Sequence, residues 1–234
     1  MAPGGSLNRP LYFFDLDDTL VDHRAAEEAA HRATHAEHEG IFGGIRFDDW
    51  LARYRFRNLA LWKAYGRGEI GRDELSHRRF DEPLADLERD PAHGDAVRAT
   101  YLRHYERNWV LVDGAEEILE FASRDGVVGI LSNGLREQQW GKIRTFRLDR
   151  WVTHVVLSED VGAMKPDRAI FDAAWKAAGS PAVRKVYVGD CWETDVLGAK
   201  AAGWFPIFFD RHAEGPPRPA VYVRRLVDLK PLLA

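Results

Sequence analysis

The segment Phe13–Asp22, with the sequence FFDLDDTLVD, constrains the fold of this chain more than any other. The residues Leu11–Phe14 form a short apolar and aromatic run, which is typical of a buried strand in a parallel sheet. The run stops at a cluster of carboxylates, and in open α/β sheets ligands bind beyond the carboxyl ends of the strands. Because Asp15 and Asp17 are two residues apart, both side chains can face a single site there.

The carboxylates of Asp15, Asp17 and Asp18 would repel one another unless a cation or a bound proton offsets their charge. Mg²⁺ is the natural candidate, because it takes hard oxygen ligands in octahedral geometry. An alternative is that the aspartates cap the helix that follows, since Asp is common at helix N-caps and in turns. The segment alone leaves both interpretations open.

The 234 residues are 45% hydrophobic and 30% charged, which is ordinary for a globular protein of one large or two small domains. The net charge of −4 gives no basic surface for nucleic acid, so we predict no nucleic-acid partner.

Cys191 is the only cysteine, which excludes an intrachain disulfide and fits a reducing cytosol. Met1–Ser6 is typical of a flexible tail without the apolar core of a signal peptide. No apolar run is long enough for a membrane span, so we predict a cytoplasmic protein with no membrane partner.

From residue 22 to residue 110 the sequence has a helical pattern. Ala25–Ala30 is a strong helix former, and apolar residues recur at mostly helical spacing from Trp50 to Tyr65. No pattern typical of a strand occurs there. We therefore predict an α-helical cap domain, residues 22–110, inserted into a core made of residues 1–21 and 111–234.

After Val112, segments with strand and helix patterns alternate along the chain. Such alternation favours a parallel sheet that is covered by helices on both faces, which is a Rossmann-like α/β fold. The predicted strands of the sheet are Leu11–Phe14, Val127–Leu131, Val155–Leu157, Val186–Val188, Pro206–Phe209 and a short edge strand in Ala220–Val223.

Polar residues follow three further predicted strands. Ser132-Asn133-Gly134 offers a hydroxyl and an amide beside a glycine turn, which suits phosphate binding. Lys165 precedes Pro166 and supplies a compact positive charge, and Gly189-Asp190 is followed by Asp195 at the start of a helix. Taken singly, each has an ordinary alternative: a turn, a solvated lysine or a helix cap.

Together and in this order, these four segments resemble the four motifs of the haloacid dehalogenase-like (HAD) hydrolase superfamily. The resemblance covers residues 11–21 and 112–209. Asn58–Ile70 and Arg78–Phe80 resemble the helical cap of subfamily I phosphatases such as pyrimidine 5'-nucleotidases of the YjjG type. The resemblance implies a HAD-like core with an inserted helical cap.

The resemblance also implies a role for each motif residue. Asp15 is expected to be the nucleophile, Asp17 the general acid and base, and Lys165 the group that neutralises the phosphoryl group and the acid cluster. The expected substrate-binding residues are Ser132, Asn133 and Thr19, of which Thr19 braces the first loop. The expected Mg²⁺ site consists of Asp15, the backbone carbonyl of Asp17, Asp190, and Asp195 acting through water or Lys165.

The implied function is Mg²⁺-dependent hydrolysis of a small phosphate monoester through an aspartyl-phosphate intermediate. A nucleoside monophosphate is the first expected substrate, and a sugar phosphate or a phosphoglycolate-like acid comes next. A phosphomutase of the family would share all four motifs. Haloacid dehalogenases share the fold but lack an acid at the position of Asp17, and a non-catalytic binding protein would be expected to lose one of the acids. The oligomeric state is left open.

Some polar residues outside these motifs also suggest a function. His31 and His35 have the i, i+4 spacing of a zinc pair, and His38 follows them. No Glu directly follows His31, as it would in the HExxH zinc motif, and no third ligand is evident. We therefore interpret the three histidines as part of a solvated helix face. Arg78 and Arg79 could contact a substrate anion or have a solvated or capping role, and Gln139 could be similar; the sequence assigns none of the three a role.

Overall fold

The computed structural model describes residues 9–179, 184–213 and 218–234. The chain divides into two compact units, a core unit of Met1–Asp22 with Leu111–Ala234 and a helical unit of His23–Val110. The predicted tail Met1–Ser6 lies outside the described residues. Within the described ranges, no helix has the length and apolar character needed to cross a membrane.

The core unit is built on one parallel sheet, which confirms the predicted α/β fold. Among the described residues the strand order is β3-β2-β1-β4-β5-β6, so β1 lies in the middle of the sheet. Every neighbouring pair is parallel. The strands are β1 (Leu11–Phe14), β2 (Val127–Ser132), β3 (His154–Leu157), β4 (Lys185–Gly189), β5 (Phe205–Phe209) and β6 (Tyr222–Val223).

Strand β1 is buried on both faces, as expected for the centre of a covered parallel sheet. Phe14 pairs in register with Ile130 of β2 and with Val188 of β4. This register brings the carboxyl ends of the three strands to one edge. Phe13 lies beside Gly129, where a Cβ atom would be 2.3 Å from the phenyl ring. Glycine therefore leaves the space that the large ring occupies.

The helical unit packs around an aromatic core that includes Trp50, Tyr54 and Tyr101. Short turns, some of which contain glycine, connect its helices, and no strand lies between the helices from α1 to α5. These helices are α1 (His23–Glu37), α2 (Glu39–Phe42), α3 (Phe47–Gly66), α4 (Arg72–Asp86) and α5 (Gly94–Arg107), with a 3₁₀ turn at Pro91–His93 before α5.

The interpretation of the three histidines as a solvated face is wrong for His31. Its side chain is fully buried, and Trp50 Nε1 donates a hydrogen bond to its Nδ1 over 3.2 Å. The ring centroid lies 3.9 Å from that of Tyr54 and 4.4 Å from that of Tyr101. His31 shares the buried stripe of α1 with alanines, so it packs in the aromatic core.

Arg79 is also buried rather than solvated. Its guanidinium donates to the hydroxyl of Tyr54 and lies 5.4–5.8 Å from the ring centroids of Tyr54, Phe80 and Tyr101. Aromatic faces stabilise a cation electrostatically, which offsets part of the cost of burying this charge. The neighbouring Arg78 is half-exposed and pairs instead with Glu74 and Glu82.

Helices of the core unit cover the two faces of the sheet and connect its strands. A π-helical turn, Trp192–Leu197, begins directly after the β4 loop and leads into a short α-helix. A 3₁₀ segment, Leu226–Leu229, precedes the last helix. The α-helices of this unit are α6 (Ala115–Asp125), α7 (Arg136–Thr145), α8 (Ser158–Val161), α9 (Arg168–Ala177), α10 (Gly198–Ala201) and α11 (Lys230–Leu233).

The burial of His31 makes the stability of the helical unit depend on pH. Burial lowers its pKa well below the usual value, and the nearby charges of Arg79, Arg55 and His23 lower it further. The unfolded chain binds a proton near pH 6.5 and the folded unit does not, so stability falls as the pH falls below that value, by up to about 1.4 kcal/mol per pH unit. Urea unfolding at pH 7.5, 6 and 5 should show this loss in the wild type.

His31→Phe removes the titrating group but keeps a ring in the aromatic core, so its stability should fall less steeply with decreasing pH. His93→Phe changes an exposed histidine and should keep the wild-type dependence. Equal dependence on pH in His31→Phe and the wild type would contradict a buried, neutral His31.

Candidate active site

The predicted site residues meet at the carboxyl edge of the sheet. Asp15 follows β1, Ser132 ends β2, Lys165 lies in the loop after β3 and α8, and Asp190 follows β4. Neighbouring strands are parallel, so these loops all open on the same edge. The sheet topology thus gathers residues that are up to 175 positions apart in the sequence.

Lys165 lies at the centre of this group and is 5% exposed. Its ammonium donates to Asp15 Oδ1 and Asp195 Oδ1, each over 2.7 Å, and to the hydroxyl of Tyr187 over 2.8 Å. These three hydrogen bonds use all three ammonium protons. Burial opposes the charge, but the carboxylates of Asp15 and Asp195 hold the pKa of Lys165 well above its usual value. The lysine is therefore charged at neutral pH.

The carboxylates carry more negative charge than Lys165 neutralises. Burial raises the pKa of Asp15 to about 7, although Lys165 lowers it; the charges of Asp195 and Asp17 raise it further. Burial also raises the pKa of Asp190 well above its usual value, as do the charges of Asp195, Asp15 and Asp18. An additional cation would stabilise the ionised form of both groups.

Three of the acids can hold such a cation. Within the described part of the chain, Asp15, Asp190 and Asp195 can each offer a carboxylate oxygen, and these oxygens lie within 4.8 Å of one another. Hard oxygen donors of this kind fit Mg²⁺. A Cβ atom at Gly189 would lie 2.4 Å from Asp195 Cγ, so this glycine leaves room for the carboxylate.

Asn133 holds the lysine loop. Its Nδ2 donates to the carbonyl oxygen of Lys165 over 3.0 Å, and the backbone N–H of Lys165 donates to its Oδ1 over 2.7 Å. The hydroxyl of Ser158, at the start of α8, donates to the carbonyl oxygen of Asn133 over 3.1 Å. This amide ties Lys165 to the end of β2, a role that the sequence analysis did not assign.

The hydroxyl of Ser132 is oriented by two donors. Its Oγ accepts hydrogen bonds from Gln139 Nε2 over 2.7 Å and from the backbone N–H of Gly134 over 3.2 Å. A serine oxygen has two acceptor positions, so the hydroxyl proton is directed away from both donors. The Ser132 hydroxyl can therefore donate a hydrogen bond of its own in a third direction.

The first loop is braced by its backbone rather than by the predicted side chain of Thr19. The Thr19 hydroxyl is buried and accepts or donates no hydrogen bond within the described residues. Instead, the N–H groups of Leu20 and Val21 both donate to the carbonyl oxygen of Leu16 over 2.9 Å. Asp18 adopts a left-handed φ of 58°, which turns the chain back at this point.

Asp17 contacts two residues of α7 that the sequence analysis did not include in the site. Lys142 Nζ donates to Asp17 Oδ1 over 2.5 Å, and Gln139 Nε2 donates to Asp17 Oδ2 over 2.8 Å. The carboxylate of Asp17 is 27% exposed. The sequence signal that these two residues act together is their i, i+3 spacing, which places both side chains on one helix face.

Comparisons with known proteins agree with this geometry. A family model described as haloacid dehalogenase-like hydrolase matches residues 10–203. Pyrimidine 5'-nucleotidase YjjG of Escherichia coli is 28% identical over 225 residues, which are 94% of this chain and 96% of the relative. Glyceraldehyde 3-phosphate phosphatase of Pyrococcus furiosus is 33% identical over 205 residues, 84% of this chain and 79% of the relative.

A solved structure shows the same architecture. The HAD-hydrolase YfnB of Bacillus subtilis, bound to magnesium, superposes with a TM-score of 0.84 and 26% sequence identity. The match covers 97% of this chain and 99% of YfnB. This protein therefore belongs to the haloacid dehalogenase-like hydrolase family and is a hydrolase.

Proposed function

We propose that this hydrolase is a Mg²⁺-dependent phosphatase that acts on a small phosphate monoester through an aspartyl-phosphate intermediate. The observation that carries the proposal is the set of hydrogen bonds from Lys165 to Asp15 and Asp195, beside Asp190. These residues supply a nucleophile, a fixed positive charge and three oxygen ligands at the carboxyl edge of the sheet. The proposal includes a cytoplasmic location, which the single cysteine fits.

In the first step Asp15 attacks phosphorus. Lys165 occupies Oδ1 of the carboxylate, which leaves Oδ2 for the attack. A bond forms between this oxygen and phosphorus, and the bond from phosphorus to the leaving oxygen breaks. Asp17 enters this step protonated and gives the proton to that oxygen. General acid help of this kind contributes about 10²–10⁴-fold. Covalent catalysis divides the hydrolysis into two easier steps.

In the second step water attacks the phosphorus of the aspartyl phosphate. Asp17 accepts a proton from that water, and the bond between phosphorus and Asp15 breaks to release phosphate. The Ser132 hydroxyl donates a hydrogen bond to a phosphoryl oxygen in both steps. Because Asp15, Asp195 and Tyr187 accept the three protons of Lys165, the lysine acts mainly through its charge.

The acid cluster fits Mg²⁺ through its oxygen donors and its excess negative charge. Asp15, Asp190 and Asp195 would hold the ion, together with the backbone carbonyl of Asp17 that the family resemblance implies. When bound, the ion supplies positive charge that offsets the repulsion between the carboxylates and the phosphoryl group. The magnesium bound by the related YfnB structure supports this assignment.

One observation favours phosphoryl chemistry over dehalogenation, and two others rank the substrates. Asp17 is present and held at the site, whereas haloacid dehalogenases lack an acid there. The match to the nucleotidase YjjG spans nearly the whole of both chains, which favours a nucleoside monophosphate. The second candidate is a sugar phosphate, favoured by the 33% identity to glyceraldehyde 3-phosphate phosphatase.

Phosphate release from nucleoside monophosphates, sugar phosphates and small acid phosphates tests the reaction. We expect turnover that requires Mg²⁺ and stops with EDTA, with a nucleoside monophosphate as the fastest substrate. Asp15→Asn removes the nucleophile and should lower kcat by about 10⁴-fold or more. Asp172→Asn changes an exposed carboxylate of α9 and should leave kcat unchanged. No phosphate release by folded wild-type protein would contradict the phosphatase, and phosphate moved to another position of the sugar would indicate a mutase.

Metal binding can be measured without turnover. Mg²⁺ should raise the melting temperature of the wild type, because a ligand present at 100 times its Kd stabilises the folded state by about 2.7 kcal/mol. Asp190→Asn removes the negative charge of one metal-binding carboxylate and should reduce this stabilisation. Asp172→Asn should retain it. An equal rise in all three proteins would contradict a site that contains Asp190.

A further inference from the structure

A second buried polar cluster lies next to the Lys165 cluster and is not used in the reaction steps above. It consists of Gln139 and Lys142, each 1% exposed, on one face of α7. The side chains link Asp17, which follows β1, to Ser132, which ends β2. A lysine is rarely buried unless its charge is paired. The burial of Lys142 therefore draws attention to its ion pair with Asp17.

The direction of each hydrogen bond in this cluster follows from Lys142. Its ammonium can only donate, so the Gln139 atom that faces it over 2.9 Å is the carbonyl oxygen Oε1. The amide nitrogen Nε2 must then face the other way, where it donates to Asp17 Oδ2 over 2.8 Å and to Ser132 Oγ over 2.7 Å. One amide group thus holds both residues.

The loop after β2 is shaped to admit this amide. A Cβ atom at Gly134 would lie 2.2 Å from Gln139 Nε2 and 2.4 Å from its Cδ. Gly134 does not have a positive φ, so the turn itself does not require glycine. The space left by Gly134 is instead occupied by Gln139.

We propose that Gln139 and Lys142 are positioning residues for the phosphatase reaction. They hold both oxygens of Asp17 and so fix the plane of its carboxylate, and Gln139 also directs the Ser132 hydroxyl proton toward the phosphoryl group. Both side chains are buried and act through Asp17 and Ser132 rather than on the substrate. The inference rests on the proposed function, because it assigns a task to Asp17 as acid and base.

The leaving group of the substrate separates this role from a purely structural one. 4-Nitrophenolate is a stable anion and leaves without a proton, so the first step on 4-nitrophenyl phosphate does not need Asp17 as an acid. An alkyl phosphate needs that proton. The second step needs Asp17 as a base with either substrate, because the attacking water must lose a proton.

The test variants are Gln139→Met and Lys142→Met, which keep an unbranched side chain of similar length and remove the hydrogen bonds to Asp17. The matched controls are Gln138→Met and Arg144→Met on the same helix, since Gln138 is only half-buried and Arg144 is exposed. Circular dichroism and melting temperature establish that each variant is folded. If Lys142→Met does not fold, Gln139→Met alone decides, because it removes a direct hydrogen bond to Asp17.

For Lys142→Met we expect kcat/KM on 4-nitrophenyl phosphate within about threefold of the wild type. Gln139→Met also releases the Ser132 hydroxyl, so its kcat/KM should fall on both substrates. On nucleoside 5'-monophosphates we expect in both variants an additional loss of about 10- to 100-fold, a part of the full general acid–base contribution. In stopped flow, 4-nitrophenolate should appear as a burst of about one equivalent per active site, followed by turnover about 10- to 100-fold slower than in the wild type. The burst reports phosphorylation of Asp15, and the slow phase reports its hydrolysis.

Equal losses on both substrates without a burst, or wild-type rates throughout, would overturn the positioning role while the phosphatase proposal stood. Rates in the control variants as low as in the test variants would also overturn it. If the wild type with Mg²⁺ releases neither nitrophenolate nor phosphate, the phosphatase proposal fails and this inference fails with it.

Discussion

The buried ammonium of Lys165 joins segments that follow different strands of the sheet, namely Asp15 after β1 and Asp195 after β4. Without this cation the two carboxylates would repel each other in a low-dielectric site. The lysine is itself fixed by reciprocal backbone hydrogen bonds with Asn133 after β2. Loops from neighbouring strands therefore depend on one charge, and losing one partner of such a buried pair typically costs about 3–5 kcal/mol.

Glycine positions provide the space that these polar groups require. Gly189 leaves room for the carboxylate of Asp195, and Gly134 leaves room for the amide of Gln139. At the centre of the sheet, Gly129 does the same for the ring of Phe13. In each case glycine permits a close approach rather than a particular backbone conformation, so a motif glycine can lie beside a side chain with which it forms no hydrogen bond.

The helical unit shows how packing overrides polarity. His31 and Arg79 are polar by residue type, yet both are buried among the rings of Tyr54 and Tyr101. Each is stabilised by hydrogen bonds and aromatic faces that come from other helices of the unit. The helical spacing of α1 could not distinguish a solvated histidine from one inside such a core. The aromatic residues that surround His31 lie 19 or more positions away in the sequence.

The parallel sheet and the acids at its carboxyl edge follow from the sequence alone, because apolar runs that end in carboxylates are local features with one common structural solution. Which polar groups meet depends instead on the three-dimensional fold. Asn133 contacts the backbone of Lys165 from 32 positions away, and Gln139 and Lys142 contact Asp17 from 122 and 125 positions away. Such contacts depend on strand order and on the packing of α7 against the sheet, and periodicity along the chain contains no information about either.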